Sequence, residues 1–150
     1  MKRGWKILLA VLILIVLAAA IYFTIFFYYR CDNNDMACFK EHQRKCVKTK
    51  FINDKEDATW AFRILGKESG NCEIEVSVLS IKEGTLEKEK LVGNSMICLI
   101  QLGLETPPES DLSNCHGILK EGIQEIMIKN AHAYIITNIG KVSEELNKVI

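Results

Sequence analysis

Thr59-Trp-Ala-Phe-Arg-Ile-Leu-Gly-Lys-Glu-Ser-Gly-Asn-Cys-Glu-Ile-Glu-Val-Ser-Val78 alternates twice between apolar and polar side chains. Trp60, Phe62 and Ile64 share a face on the first limb, and Cys72, Ile74, Val76 and Val78 do so on the second. A period of two is that of a half-buried strand. Gly66-Lys-Glu-Ser-Gly-Asn71 supplies turn chemistry between the limbs, so the stretch predicts a β-hairpin. Downstream, a break over Lys82 to Lys90 holds Gly84 and mixed charges. Leu91 to Leu102 then sets Met96, Cys98, Ile100 and Leu102 on one side, a third antiparallel strand. Upstream, Phe51-Ile52 offers a fourth.

Helices are expected on either side of this sheet. Asp32-Asn33-Asn34-Asp35 is rich in capping side chains, and Met36, Phe39, Gln43, Cys46 and Val47 follow near helical spacing, so a helix is predicted over about 34–48. Pro107 and Pro108 end the sheet. Ser110 or Asp111 can cap the next helix, whose apolar stripe runs through Cys115, Ile118, Leu119, Ile126 and Ala133, with Ile123 and Tyr134 to one side. Residues 131–139 read as helix or strand, because Ile135-Ile136-Thr137 is β-branched, and Gly140 is expected to stop either one. Ser143 then opens a short terminal helix with Val142, Leu146, Val149 and Ile150 on one side. Sheet and helices each have one apolar face to cover, which makes residues 35–150 a single α+β domain with its helices against one face of a three- to four-stranded antiparallel meander.

Ahead of it, Ile7 to Tyr29 runs 23 residues without a charged side chain, behind Lys2, Arg3 and Lys6. At about 1.5 Å per residue the run covers roughly 34 Å, against a hydrocarbon core of about 30 Å. The expected organisation is a cytoplasmic basic tail (1–6), a transmembrane signal anchor (7–29), a short linker (30–34) and the domain. Cleavage after Ala20 as a signal peptide would leave a strongly apolar new terminus, and Tyr28-Tyr29-Arg30 before Cys31 is no lipobox. The basic flank predicts a cytoplasmic N-terminus and an extracytoplasmic domain in a single-pass protein of the cell membrane, with the bilayer as one partner. Trp5, Tyr22, Tyr28 and Tyr29 suit the headgroup regions, and Ala18-Ala19-Ala20 is an ordinary small patch of a span.

All six cysteines, Cys31, Cys38, Cys46, Cys72, Cys98 and Cys115, follow the span. An even number in a small domain outside the cell predicts disulfides. Six cysteines allow 15 pairings. Local partners suggest Cys46–Cys72 and Cys98–Cys115, leaving Cys31–Cys38 if the capping segment turns back. Residues 31–150 carry 15 Lys and Arg against 19 Asp and Glu, a net of −4, which speaks against a nucleic-acid partner.

Met96-Ile-Cys98, followed by Asn114-Cys-His-Gly-Ile-Leu-Lys-Glu121 at a helix start, resembles small membrane-anchored, cysteine-containing proteins of uncharacterised archaeal families, and Cys38-Phe39 and Cys46 extend the likeness. The resemblance covers about two-thirds of the chain and implies no activity. A resemblance to cystatin-like domains rests on element order alone.

Among chemical candidates, Cys38, His42 and Cys46 stand four apart, so His42 with Cys38 or with Cys46 is the one pair placed to share a metal. The rise from Cys38 to Cys46 is about 12 Å, which keeps both from one ion and from one disulfide within an intact helix. No metal or cofactor is expected. Cys115-His116 point about 100° apart on a helix, no Cys-x-x-Cys occurs, His132 reads as exposed or satisfied, and Glu73 and Glu75 read as solvated carboxylates. The chain is expected not to be an enzyme. The basic run His42, Arg44, Lys45, Lys48 and Lys50 reads as a solvated face.

What remains is an interaction module, held near the membrane, that binds an envelope protein or small ligand through a groove or sheet edge. The alternative is a pilin-like filament subunit processed near Gly4, since Lys2-Arg3-Gly4 before an apolar helix is similar to the processing site of archaeal pilin-like proteins. The short leader and Lys6 depart from that pattern.

Overall fold

The computed structural model describes residues 2–149, with side chains described at all of these except 2, 3, 6, 24–26 and 140–149. In chain order it contains α1 (Lys2–Phe26), β1 (Tyr29–Arg30), α2 (Met36–Lys45), β2 (Thr49–Asp54), β3 (Ala58–Glu68), β4 (Asn71–Ile81), α3 (Leu86–Glu89), β5 (Ser95–Gln101), β6 (Cys115–His116) and α4 (Ile118–Val149).

The sheet corrects the expected three- to four-stranded meander. It has six strands in the order β1-β2-β3-β4-β5-β6 and is mixed, because β1 pairs with β2 in parallel while every other pair is antiparallel. The added strands at the two edges are only two residues long, Tyr29–Arg30 and Cys115–His116. Neither is long enough to show a period. Tyr29–Arg30 lies where the sequence placed the end of a membrane span and the start of a linker. It is held at the sheet by bonds from the Tyr29 amide to the Lys48 carbonyl (2.9 Å) and from the Cys31 amide to the Lys50 carbonyl (3.1 Å).

The single-pass anchor is corrected as well. Among the described residues no helix is long and apolar enough to cross a membrane. The reading of the protein as a single-pass membrane protein with a cytoplasmic N-terminus falls with it.

The central hairpin is tighter than its sequence suggests. Glu68 pairs with Asn71, so the turn is only Ser69-Gly70, and both residues adopt positive φ (48° and 84°). That is the two-residue turn whose twist matches its strands, with glycine at the second position where a side chain is disfavoured. A bulge between Ile64 and Gly66 takes up the extra residue.

One face of the sheet carries the core. Phe51, Phe62, Ile64, Ile74, Val76, Met96 and Cys98 are buried there beneath Phe39 of α2 and Leu119 of α4. The Phe39, Phe51 and Phe62 rings form a cluster with centroids 5.1–5.9 Å apart. The Asp35 carboxylate caps α2 by accepting from the Cys38 amide at 3.0 Å, and the helix ends at Cys46, which turns left-handed with φ 52°. Asp35→Ala is expected to cost about 1 kcal/mol in urea unfolding, and an unchanged midpoint would show that this cap does not stabilise α2.

α4 is one helix to Val149, so residues 131–139 are helical and Gly140 does not end the element. A glycine inside a helix costs only about 1 kcal/mol relative to alanine, which does not break a long helix. The expected shared side of Val142, Leu146 and Val149 falls among side chains that are not described, and Ile150 lies outside the described residues. Among the described side chains of α4, packing is confined to its start: Leu119 is buried and Ile123 and Ile126 lie against the core, whereas Met127, Ile128, Tyr134, Ile135, Ile136 and Ile139 are exposed.

Three disulfides brace the domain, two of them between α2 and the sheet. Cys31–Cys38 joins the end of β1 to α2, Cys46–Cys72 joins the end of α2 to β4, and Cys98–Cys115 joins β5 to β6. Cys46–Cys72 and Cys98–Cys115 are the pairs that local spacing suggested, and Cys31–Cys38 is the pair these left.

Candidate functional site

With both helices on one face, the opposite face of the sheet is left to face outward. Strand register decides what it displays. Arg30 pairs with Lys50, Lys50 with Arg63, Arg63 with Glu75, Glu75 with Ile97, and Ile97 with His116, so these six side chains form one row across all six strands. A second row runs through Ile52, Ala61, Ser77 and Ser95. Each residue points outward because its neighbours along the strand, such as Phe51, Phe62 and Val76, point into the core.

A cavity of about 590 Å³ lies on the β1–β4 part of this face, lined by Tyr28, Arg30, Lys50, Ile52, Ala61, Arg63, Glu75 and Ser77, among others. Its cations are unevenly matched. Arg63 pairs with Glu75, Nη2 to Oε2 at 2.5 Å. Among the described residues no acidic side chain forms an ion pair with Arg30 or Lys50, and both are exposed. The Lys50 ammonium instead lies 5.0 Å from the centre of the Tyr28 ring, and that of Lys48 lies 5.8 Å from the same centre.

The residues singled out in the sequence are placed otherwise. His42 and Cys38 do meet: His42 Nδ1 is 3.7 Å from Cys38 Sγ and 2.8 Å from the Cys38 carbonyl oxygen, and Tyr29 stacks on the imidazole at 4.3 Å between centroids. Cys31 Sγ completes a group of three within 4.8 Å, but its sulfur and that of Cys38 are joined in a disulfide, which leaves them without thiolate character for a metal. Cys46 is bonded to Cys72. Cys115 is bonded to Cys98, while its neighbour His116 turns to the opposite face of the sheet, so the two share no site. His132 is exposed on α4.

The basic run of α2 and β2 divides in the same way. Lys45 bonds Glu41 at 2.7 Å, a contact that holds the Glu41 carboxyl below its usual value, and Arg44 pairs with Glu105 at 3.8 Å. Lys50 alone of the run lines the cavity. Sequence reasoning missed Arg30 and Arg63 as its companions. The signal was a register, available only once Tyr29–Arg30 was known to be a strand.

No family model, curated protein or solved structure matches the chain.

Proposed function

We propose that the chain is a disulfide-braced interaction module that docks its partner on the outward face of the sheet. The observation that carries this reading is the cavity on β1–β4, set on strands that two disulfides, Cys31–Cys38 and Cys46–Cys72, fix to α2 behind them. Rigid support of this kind lowers the entropy lost when a partner binds. Ile52, Ala61, Ile97 and Leu99 are half-buried on that face, which gives it apolar surface beside its charged side chains.

The test is steric. Ala61→Trp or Ser77→Trp fills the floor of the cavity while leaving the core face untouched, and is expected to weaken partner capture at least tenfold, with Leu104→Trp in the exposed loop after β5 as the neutral comparison. Equal capture by all three proteins would sink the reading.

The exposure of α1 favours a second reading. Trp5, Ile7, Leu8, Leu14, Ile15 and Tyr22 are each more than 60% exposed, and apolar side chains presented on every side of a helix seek a cover. In a filament subunit of the pilin-like type the α1 helices of successive copies cover one another. A mature terminus at Trp5 together with filaments in electron micrographs supports this reading, and an intact Met1–Trp5 peptide excludes it.

A further inference from the structure

We propose that the outward face is a binding site for an extended acidic polypeptide segment, whose Asp and Glu carboxylates are taken up by Arg30, Lys50 and Arg63. This inference rests on the reading above that the partner docks on that face, and it names the partner's chemistry.

Charge complementarity selects the occupant. Residues 31–150 are net negative, yet three cations stand consecutively in the row across β1, β2 and β3. Two of them, Arg30 and Lys50, have no acidic side chain in ion-pairing contact among the described residues. The third shows what the face accepts: the Arg63 guanidinium already holds the carboxylate of Glu75.

The spacing favours a line of carboxylates over a single compact anion. Neighbouring strands are about 4.8 Å apart, so side chains rooted on β1, β2 and β3 present positive charge over roughly 10 Å. Alternate side chains of an extended peptide fall about 6.8 Å apart on one side, which brings two carboxylates within the length of the row. Tyr28 stands beside Lys50 as an apolar wall against which the peptide's aliphatic stems can lie.

The orientation follows. Glu73 and Glu75 on β4 mark the acidic end of the face, so the anionic part of the ligand lies toward β1 and the segment's less charged part toward Ile97 and Leu99.

The probe is a fluorescein-labelled peptide in which Glu alternates with Ser, titrated against the immobilised full chain, with inorganic phosphate, oligothymidylate and a Lys-Ser peptide as comparisons. Saturable binding that weakens as salt rises is expected from the Glu-Ser peptide alone. Arg30→Glu and Lys50→Glu should each lower its affinity about tenfold, Glu75→Gln should raise it roughly threefold by removing a competing carboxylate, and Lys88→Glu on α3 should leave it unchanged. All these positions are exposed or half-buried, so each variant is expected to give the circular dichroism spectrum of the parent chain.

Binding that ignores the Arg30 and Lys50 substitutions overturns the proposal, as does stronger binding of phosphate or oligothymidylate than of the Glu-Ser peptide. The two readings fail separately. Loss of natural partner capture in Ala61→Trp, with no response to the Glu-Ser peptide, keeps the docking face and rejects its acidic ligand. Retained capture in Ala61→Trp and Ser77→Trp rejects the face itself.

Discussion

A Cys46→Ala/Cys72→Ala double variant is expected to unfold about 3.5 kcal/mol below the parent chain in guanidinium chloride. The bridge closes 26 residues, the longest separation of the three, and the loss of loop entropy it imposes on the unfolded chain grows with that length. By the same relation Cys98–Cys115, over 17 residues, contributes about 3 kcal/mol, and Cys31–Cys38, over 7, about 2.4 kcal/mol. Position reinforces the ranking. Cys46 ends α2 and Cys72 opens β4, so this bridge ties the helix layer to the middle of the sheet, with both residues buried. The measurement compares the three double-alanine variants, with mass mapping to confirm that the remaining pairs stay oxidised. A loss no larger for Cys46/Cys72 than for Cys31/Cys38 would show that loop length does not govern these bridges.

The parts of this fold that were legible in the sequence are those with a period. Phe62 and Ile64 alternate inward on β3 as do Ile74 and Val76 on β4, and such patterns announce a half-buried strand before any contact is known. Asp35 before Met36 is equally local, since a cap acts on the amide three residues ahead. The two edge strands had no such signature. Tyr29–Arg30 is a strand because the carbonyls of Lys48 and Lys50 accept from the Tyr29 and Cys31 amides, and Cys115–His116 because Cys98 holds it by a disulfide. Tertiary contacts decide both. The same cause hid the candidate site: Arg30, Lys50 and Arg63 lie 20 and 13 residues apart in sequence and become neighbours only through register. In α4 the β-branched run at Ile135-Ile136-Thr137 suggested a strand, but with no neighbouring strand to pair with it the helix begun at Ile118 continues.

Phe39→Ala is expected to cost about 4 kcal/mol, the largest effect of any single substitution proposed for this domain. The helix that carries Phe39 has only ten residues, too few to hold itself in water, so its place depends on what it buries. Phe39 is 1% exposed and meets both Phe51 and Phe62, with ring centroids at 5.1 and 5.4 Å, so truncation removes a whole aromatic side chain and two ring contacts together. The gap cannot be closed by sliding α2 inward, because Cys38 and Cys46 on either side of Phe39 are fixed through disulfides to Cys31 and Cys72. That same fixation separates stability from position. Phe39→Ala should lower the unfolding midpoint sharply while leaving the fully oxidised, folded protein able to bind at its outward sheet face. Phe39→Leu, which keeps most of the buried volume, should cost about 1–1.5 kcal/mol. A loss under 2 kcal/mol for Phe39→Ala would mean that the disulfides, and not the aromatic cluster, hold α2 on the sheet.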